Sequence, residues 1–173
     1  EPSLFLIEAV AVAAEIKAQL TSIELAKTIE SCKKFRALKP RWNKHAEVIG
    51  GAEDIARYYR NPPFFLFAYE SQLAISTIGE RIAAAHDPSE GRAGEGIDGV
   101  FVLDKGYVLN FGYGNSAFVA QAPAGKRMVV YYHDDTKAPL LTLMQWLSVA
   151  MALPVSQVSI LPNYILGEVG AGK

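Results

Sequence analysis

Apolar positions along the chain fall into short runs, separated by segments in which they recur with a helical period. Five apolar runs predict β-strands, at residues 10–17, 64–69, 100–103, 107–111 and 127–132. The helical periods predict four helices, at residues 22–38, 52–59, 71–86 and 138–153. This order indicates an α/β fold with a mixed β-sheet flanked by helices, because strands separated by helices pair in parallel and a later hairpin adds antiparallel strands.

Short signals at the ends of these segments support the assignments. Thr21 and Glu24 form a capping box, with Thr21 as the N-cap of the first helix, and Pro40 ends that helix. Pro139 lies in the first turn of the last helix, where proline is favoured. The turn at 104–106 predicts a hairpin between the third and fourth strands. The apolar face of the first helix is expected at Ile23, Ala26, Ile29, Lys33 and Ala37.

The length and composition are those of one globular domain. We assign residues 1–173 to a single domain with a sizeable core, and the tail from about residue 154 is less regular. The single cysteine, Cys32, excludes an internal disulfide framework and is expected to be packed within a helix. No apolar run is long enough to span a membrane and no signal peptide is recognisable, which favours a cytoplasmic protein. The missing initiator Met suggests a piece of a longer chain.

Charge is balanced over the whole chain but not along it. The formal net charge is −1, from 17 Lys plus Arg and 18 Asp plus Glu, so global basicity does not point to nucleic acid. Residues 33–44 contain no acid and form a basic patch, which consists of Lys33, Lys34, Arg36, Lys39, Arg41 and Lys44. With Phe35 and Trp42 interleaved, the basic patch has the composition of a phosphate-binding surface. A solvated helix end is the alternative, because cations are also favoured at helix C-termini.

The first strand ends in Glu15-Ile16-Lys17, which is the candidate active site. Side chains alternate along a strand, so Glu15 and Lys17 project from one side of the sheet and Ile16 from the other. An apolar strand with charge at its carboxyl end places that charge at the rim of a sheet, where α/β proteins build sites. A carboxylate is a hard ligand for Mg²⁺ or Mn²⁺, and a neighbouring lysine can orient water or neutralise phosphate charge during phosphodiester hydrolysis. The alternative is an exposed cross-strand charge pair.

Two glycine motifs resemble nucleotide-binding loops. The sequence at 94–99 matches a dinucleotide fingerprint, but it follows a helix and precedes a strand, which is the reverse of the context that the fingerprint needs. The sequence at 167–173 matches a phosphate loop up to its lysine. An NTPase domain beyond Lys173 and a mobile glycine-rich tail are both compatible with that match.

The remaining polar candidates are assigned structural roles. Asp98 and Asp104 flank the third strand and are expected to be turn residues. Asp134 or Asp135 is expected to cap the last helix. No Gly-x-Ser-x-Gly motif provides a serine nucleophile. No pair at metal-ligand spacing occurs among the three histidines, His45, His86 and His133.

Residues 10–38 carry a resemblance to a known family. The strand VAVAAEIKAQL, followed by the capped helix TSIELAKTIESCKKFRAL, resembles the second half of the PD-(D/E)xK nuclease motif. It is most similar to uncharacterised bacterial restriction-endonuclease-like domains, in which a strand ending in Glu-Val-Lys leads into a helix of this kind. The segments PFFLFAYES, IDGVFVLDKGYVLN and APLLTLMQWLSVAMAL resemble that family's later strand, hairpin and closing helix. The likeness covers most of residues 5–153.

The resemblance implies an activity and a role for each matching residue. The domain would be an endonuclease that hydrolyses DNA phosphodiester bonds with Mg²⁺ or Mn²⁺, in bacterial defence or restriction. Glu15 would bind the metal, Lys17 would orient or activate the attacking water, and the backbone carbonyl of Ile16 would be a further ligand. Lys33 and Lys34, one helix away, would contact phosphates. DNA is the implied partner, no membrane is involved, and a homodimer is compatible with this activity.

One residue of the family pattern is missing from the chain. The superfamily has an acid, usually Asp, on the strand before the Glu-x-Lys strand, but the seven residues before Glu8 contain Glu1 and no Asp. Either the chain begins downstream of that Asp, or the domain is a catalytically inactive nuclease fold that binds nucleic acid or a protein partner. Glu8 lies on the opposite face of the strand from Glu15, so it replaces the Asp only if a β-bulge intervenes.

Overall fold

The computed structural model of the chain describes residues 10–38, 62–85, 96–110, 130–133 and 138–152. The strands are β1 (Ala13–Leu20), β2 (Phe64–Ser71), β3 (Gly99–Val102), β4 (Gly106–Asn110) and β5 (Val130–His133). The helices are α1 (Ser22–Ala37), α2 (Ile75–Ala84) and α3 (Pro139–Ala152). The predicted helix at 52–59, the predicted caps at 134 and 135 and the tail from 154 lie outside the described residues. Within these ranges, no helix has the length and apolarity that a membrane span requires.

The five described strands form one mixed sheet in the order β1-β2-β3-β4-β5. β1, β2 and β3 run parallel, whereas β4 and β5 are each antiparallel to the preceding strand. The chain passes through α1 between β1 and β2 and through α2 between β2 and β3. Such crossovers are needed because the end of one parallel strand and the start of the next lie at opposite edges of the sheet. The predicted α/β class, with a mixed sheet flanked by helices, is therefore confirmed.

Apolar side chains form one layer on each face of the sheet. The first layer lies between the sheet and both α1 and α2, and it includes Leu25, Cys32, Leu66, Ile78, Ile82, Val100 and Val102. The second layer lies between the sheet and α3, and its buried members are Phe65, Phe101, Leu109, Leu143 and Trp146. The Trp146 ring centroid is 5.7 Å from that of Phe65 and 6.2 Å from that of Phe101. β3 and residues 64–68 of β2 therefore have side chains packed in both layers, as in parallel strands that helices cover on both faces.

The predicted hairpin between β3 and β4 is confirmed. The Lys105 N–H donates to the Val102 carbonyl at 3.1 Å and closes the turn. Gly106 then starts β4 with a φ of 152°, a conformation that side chains with a Cβ rarely adopt. Glycine at this position therefore helps to set the antiparallel register in which Val102 pairs with Gly106.

α1 begins where its capping signal predicts, but it buries a different face. The Glu24 N–H donates to Thr21 Oγ1 at 3.2 Å, so Thr21 is the N-cap. Of the predicted apolar face, only Ile29 packs against the first layer, whereas the other members are exposed, and Ile23 is 68% exposed. The buried residues are Leu25, Thr28, Cys32 and Arg36. Two of these are polar, and a hydrophobic pattern cannot identify them because polar side chains are buried only with partners from elsewhere in the fold.

Both ends of β1 and the start of α2 differ from the prediction by several residues. β1 starts at Ala13 and continues to Leu20 instead of ending at Lys17. Ser71 is the last residue of β2, whereas the sequence suggested that it opens the second helix. Its hydroxyl accepts the N–H of Leu73 at 2.9 Å and turns the chain before α2 begins. A serine hydroxyl can cap a turn as well as a helix, so the sequence did not distinguish the two.

Arg36 and Asp98 form a buried ion pair that joins three elements. Their side chains are 3% and 0% exposed. The Arg36 guanidinium also donates to the carbonyls of Pro62 and Gly96, at 2.5 and 3.4 Å. The Asp98 carboxylate accepts the Phe64 N–H at 2.7 Å. The pair connects the end of α1 to the residues that precede β2 and β3, so Asp98 is a core residue as well as a bend residue.

Cys32 is packed in the first layer, as predicted, and is 1% exposed. Burial raises the pKa of its thiol to about 12, so little thiolate forms at neutral pH. We expect the native protein to be unreactive toward Ellman's reagent. After unfolding in concentrated guanidinium chloride, the protein should react and release one equivalent of thionitrobenzoate. Rapid reaction of the native protein would contradict the packing of Cys32.

Candidate functional site

Glu15 and Lys17 lie in the middle of β1, on the face that α1 covers. They are the third and fifth residues of the strand Ala13–Leu20, so the predicted position at the carboxyl rim of the sheet is wrong. The predicted alternation is confirmed, because Glu15 contacts α1 whereas Val12 packs in the second layer on the opposite face. Ile16 also projects from that opposite face and is 68% exposed. β1 is therefore half buried rather than fully buried.

Glu15 and Lys17 contact each other and residues of α1. Lys17 Nζ lies 3.3 Å from Glu15 Oε2 and 2.9 Å from Glu24 Oε2. Thr28 Oγ1 donates to Glu15 Oε2 at 2.6 Å, and Lys27 Nζ lies 2.8 Å from Glu24 Oε1. The Glu15 and Lys17 side chains are 24% and 25% exposed, so solvent reaches them. We refer to Glu15, Lys17, Glu24 and Thr28 as the charged cluster.

The contacts hold the three ionisable groups of the charged cluster, Glu15, Lys17 and Glu24, in their ionised forms. Burial acts to raise the pKa of Glu15, but hydrogen bonds from Thr28 and Ser31 and the contact with Lys17 outweigh burial and lower it. The hydrogen bond to Glu24 is the largest cause of the raised pKa of Lys17. The pKa of Glu24 itself is lowered to about 2, first by Lys27 and then by Lys17. At neutral pH the site therefore presents a carboxylate and an ammonium group in contact.

The short connection between β1 and α1 creates this arrangement. Only residue 21 separates the two elements, so α1 starts beside the end of β1 and its side chains reach the Glu-x-Lys face. Glu24, Thr28 and Ser31 are spaced four and three residues apart, which places them on one side of the helix. The capping box predicts only a capping role for Glu24, and no sequence motif predicts a role for Thr28 or Ser31. Glu24, Thr28 and Ser31 form a polar stripe on the helix that directly follows the Glu-x-Lys strand. This stripe is the sequence feature that could have identified Thr28 and Ser31 as neighbours of the site.

The charged cluster contains two carboxylates, those of Glu15 and Glu24, which are the side chains here that could bind a metal ion. Glu15 offers an ionised oxygen ligand, and Mg²⁺ commonly takes one or two carboxylates while it keeps waters or binds substrate phosphates. Ile16 offers only its backbone carbonyl, because its side chain is apolar. Within the described ranges, no group of three or more His, Cys, Asp or Glu side chains could hold a metal ion. Lys17 contacts both Glu15 and Glu24, so a cation bound to either carboxylate would compete with its ammonium group.

Only some of the described members of the basic patch are exposed to solvent. Lys33 and Lys34 are exposed near the end of α1, on the side turned away from the buried face. Arg36 is buried and paired with Asp98, so its predicted role in binding nucleic acid is wrong. A guanidinium that a carboxylate and two backbone carbonyls already engage cannot also reach a phosphate. The other members, Lys39, Arg41 and Lys44, lie outside the described residues.

No protein-family model matches this chain, and searches of curated proteins and of solved structures found no significant match.

Proposed function

We propose that this domain is a metal-dependent endonuclease that hydrolyses phosphodiester bonds of DNA. The observation that supports the proposal is the contact between Glu15 and Lys17 on one face of β1, where solvent reaches both side chains. A metal-binding carboxylate beside an ammonium group suits this reaction, because negative charge accumulates on a phosphate that is already anionic. The corresponding fold is restriction-endonuclease-like, and the proposed setting is bacterial defence or restriction.

The residues of the charged cluster have separate roles in this reaction. Glu15, with the carbonyl of Ile16, would hold Mg²⁺ or Mn²⁺, which supplies polarisation of the phosphate and a lowered pKa of bound water. The raised pKa of Lys17 keeps its amine protonated, so Lys17 orients water and neutralises phosphate charge and does not accept the proton. Thr28 restrains the Glu15 carboxylate through its 2.6 Å hydrogen bond, which limits the orientations that the carboxylate adopts.

Lys33 and Lys34 are the proposed phosphate contacts among the described members of the basic patch. Both are exposed, and they follow Thr28 by five and six residues, which corresponds to about 8 Å along the helix axis. Their side chains project from the side of α1 turned away from Thr28, so they would bind phosphates outside the charged cluster. Because the whole chain has a net charge of −1, this attraction is local and we expect it to weaken as salt concentration rises.

A second candidate is a catalytically inactive domain of this fold that binds nucleic acid or a protein partner. The observation that favours it is the position of Lys17 between two carboxylates, Glu15 and Glu24. The same arrangement stabilises the packing of a helix on a strand without any chemistry. The two candidates differ in one measurable property, which is metal-dependent cleavage of DNA.

A plasmid-nicking assay separates the candidates. We expect the purified protein to convert supercoiled plasmid to the nicked or linear form in the presence of Mg²⁺, EDTA to stop the conversion, and added Mn²⁺ to restore it. The Glu15→Ala variant, purified in parallel, controls for contaminating nucleases. Equal cleavage by this variant would refute the site, and binding of DNA without cleavage would favour the second candidate.

A further inference from the structure

The Lys17 ammonium group lies between two carboxylates that have different surroundings. It is closer to Glu24 Oε2, at 2.9 Å, than to Glu15 Oε2, at 3.3 Å. Glu24 is oriented by Lys27, whose Nζ is 2.8 Å from its other oxygen, and by its place in the first turn of α1. Glu15 is oriented by Thr28 on the same oxygen that faces Lys17. Lys17 can therefore remain paired with Glu24 when a cation binds to the Glu15 carboxylate.

A cation bound to Glu15 and the ammonium group of Lys17 compete for the same negative charge. In the absence of Glu24, Lys17 would pair with Glu15 alone, and a divalent cation would have to displace that contact. With Glu24 present, Lys17 keeps an ion pair after it withdraws from Glu15. The cost of freeing Glu15 is therefore lower when Glu24 is charged, and Lys17 stays near the site where its charge is useful.

We propose that Glu24 is a positioning residue, which draws Lys17 away from Glu15 and so keeps the Glu15 carboxylate available to a divalent cation. The inference rests on the proposed function, because it assigns Glu15 to metal binding. It gives the Glu24 carboxylate a role beyond its ion pairs with Lys17 and Lys27. It also predicts that the effect of Glu24 on cation affinity is transmitted through Lys17, and not through direct attraction between Glu24 and the cation.

The test is a titration of the full chain with Mn²⁺ in the absence of DNA. Binding is measured by isothermal titration calorimetry and, independently, by the paramagnetic resonance signal of free Mn²⁺. We expect Glu24→Gln to weaken Mn²⁺ binding by about threefold to fivefold, the size of one partly exposed ion pair. In a Lys17→Met background the same substitution should have no effect, because the competing ammonium group is gone. Glu30→Gln is the matched control: it removes an equal charge from an exposed position of α1 and should leave the affinity unchanged.

The outcomes separate this inference from the proposed function. Unchanged affinity in Glu24→Gln, with normal Mn²⁺ binding by the wild type, would overturn the inference alone. An equal loss with and without Lys17 would also overturn it, since Glu24 would then attract or ligate the cation directly. Absence of Mn²⁺ binding by the wild type would overturn both the metal site and the inference. Circular dichroism of each variant establishes that α1 is intact before the affinities are compared.

Discussion

Replacing Asp98 with alanine is expected to lower the free energy of unfolding by about 3–5 kcal/mol. The substitution leaves the Arg36 guanidinium buried at 3% exposure without its carboxylate and removes the acceptor of the Phe64 N–H. An unpaired buried charge costs more than the ion pair itself contributes, because its desolvation is no longer compensated. A loss of this size is a large share of the stability of a typical domain.

Urea unfolding, followed by circular dichroism, measures this loss. Asp104→Ala is the matched control, because Asp104 flanks the other end of β3 and is exposed, and we expect it to change stability by less than about 0.5 kcal/mol. The double variant Arg36→Met/Asp98→Asn should be more stable than Asp98→Ala, since it removes the buried charge and keeps an acceptor for Phe64. Equal effects of Asp98→Ala and Asp104→Ala would show that the ion pair does not hold the fold together.

Glu15→Gln and Lys17→Met are each expected to reduce Mg²⁺-dependent nicking by about 10²–10³-fold. Glutamine keeps the size of the side chain and an acceptor for Thr28, so the first substitution removes mainly the negative charge. Methionine keeps the apolar stem of lysine and removes the ammonium group. The double variant should be little slower than either single variant, because residues that act on the same reacting phosphate lose their effect together.

The controls for these variants address folding and DNA binding. Thermal unfolding should show native-like cooperativity in both variants, since the substituted side chains are each about a quarter exposed. Lys33→Met removes one positive charge from an exposed position of α1. We expect this variant to bind DNA more weakly, and its DNA affinity to depend less on salt concentration, whereas the maximal nicking rate stays the same. Additive losses in the double variant, or full activity in either single variant, would contradict the roles assigned to Glu15 and Lys17.

Signals that act over a few residues were sufficient to predict much of the fold. Thr21 caps α1, Pro139 opens α3, and the turn before Gly106 joins β3 to β4. The order of elements and the α/β class also followed from the period of the apolar residues. The alternation of side chains along β1 placed Glu15 and Lys17 on one face, and the structure brings them into contact.

The tertiary structure decided which polar residues are buried and what they contact. Asp98 and Asp104 are equivalent in sequence, as acids at the two ends of one strand, but Asp98 is buried because Arg36, 62 residues earlier, provides its partner. The same pairing removed Arg36 from the basic patch and changed the buried face of α1. Its energetic basis is desolvation, which makes the location of a charged side chain depend on a distant partner.

For the candidate site, the sequence by itself determined the two side chains that share a face, because the period of a strand is a local property. Only the packing of α1 on β1 determined that Glu24 and Thr28 contact them. The pairing of β1 with β2 as far as Leu20 placed the pair in the middle of the strand. Contacts between elements depend on how the helix rotates about its axis to bury its apolar and paired polar groups. That rotation is set by the whole first layer and by the ion pair of Arg36, and no short stretch of sequence contains it.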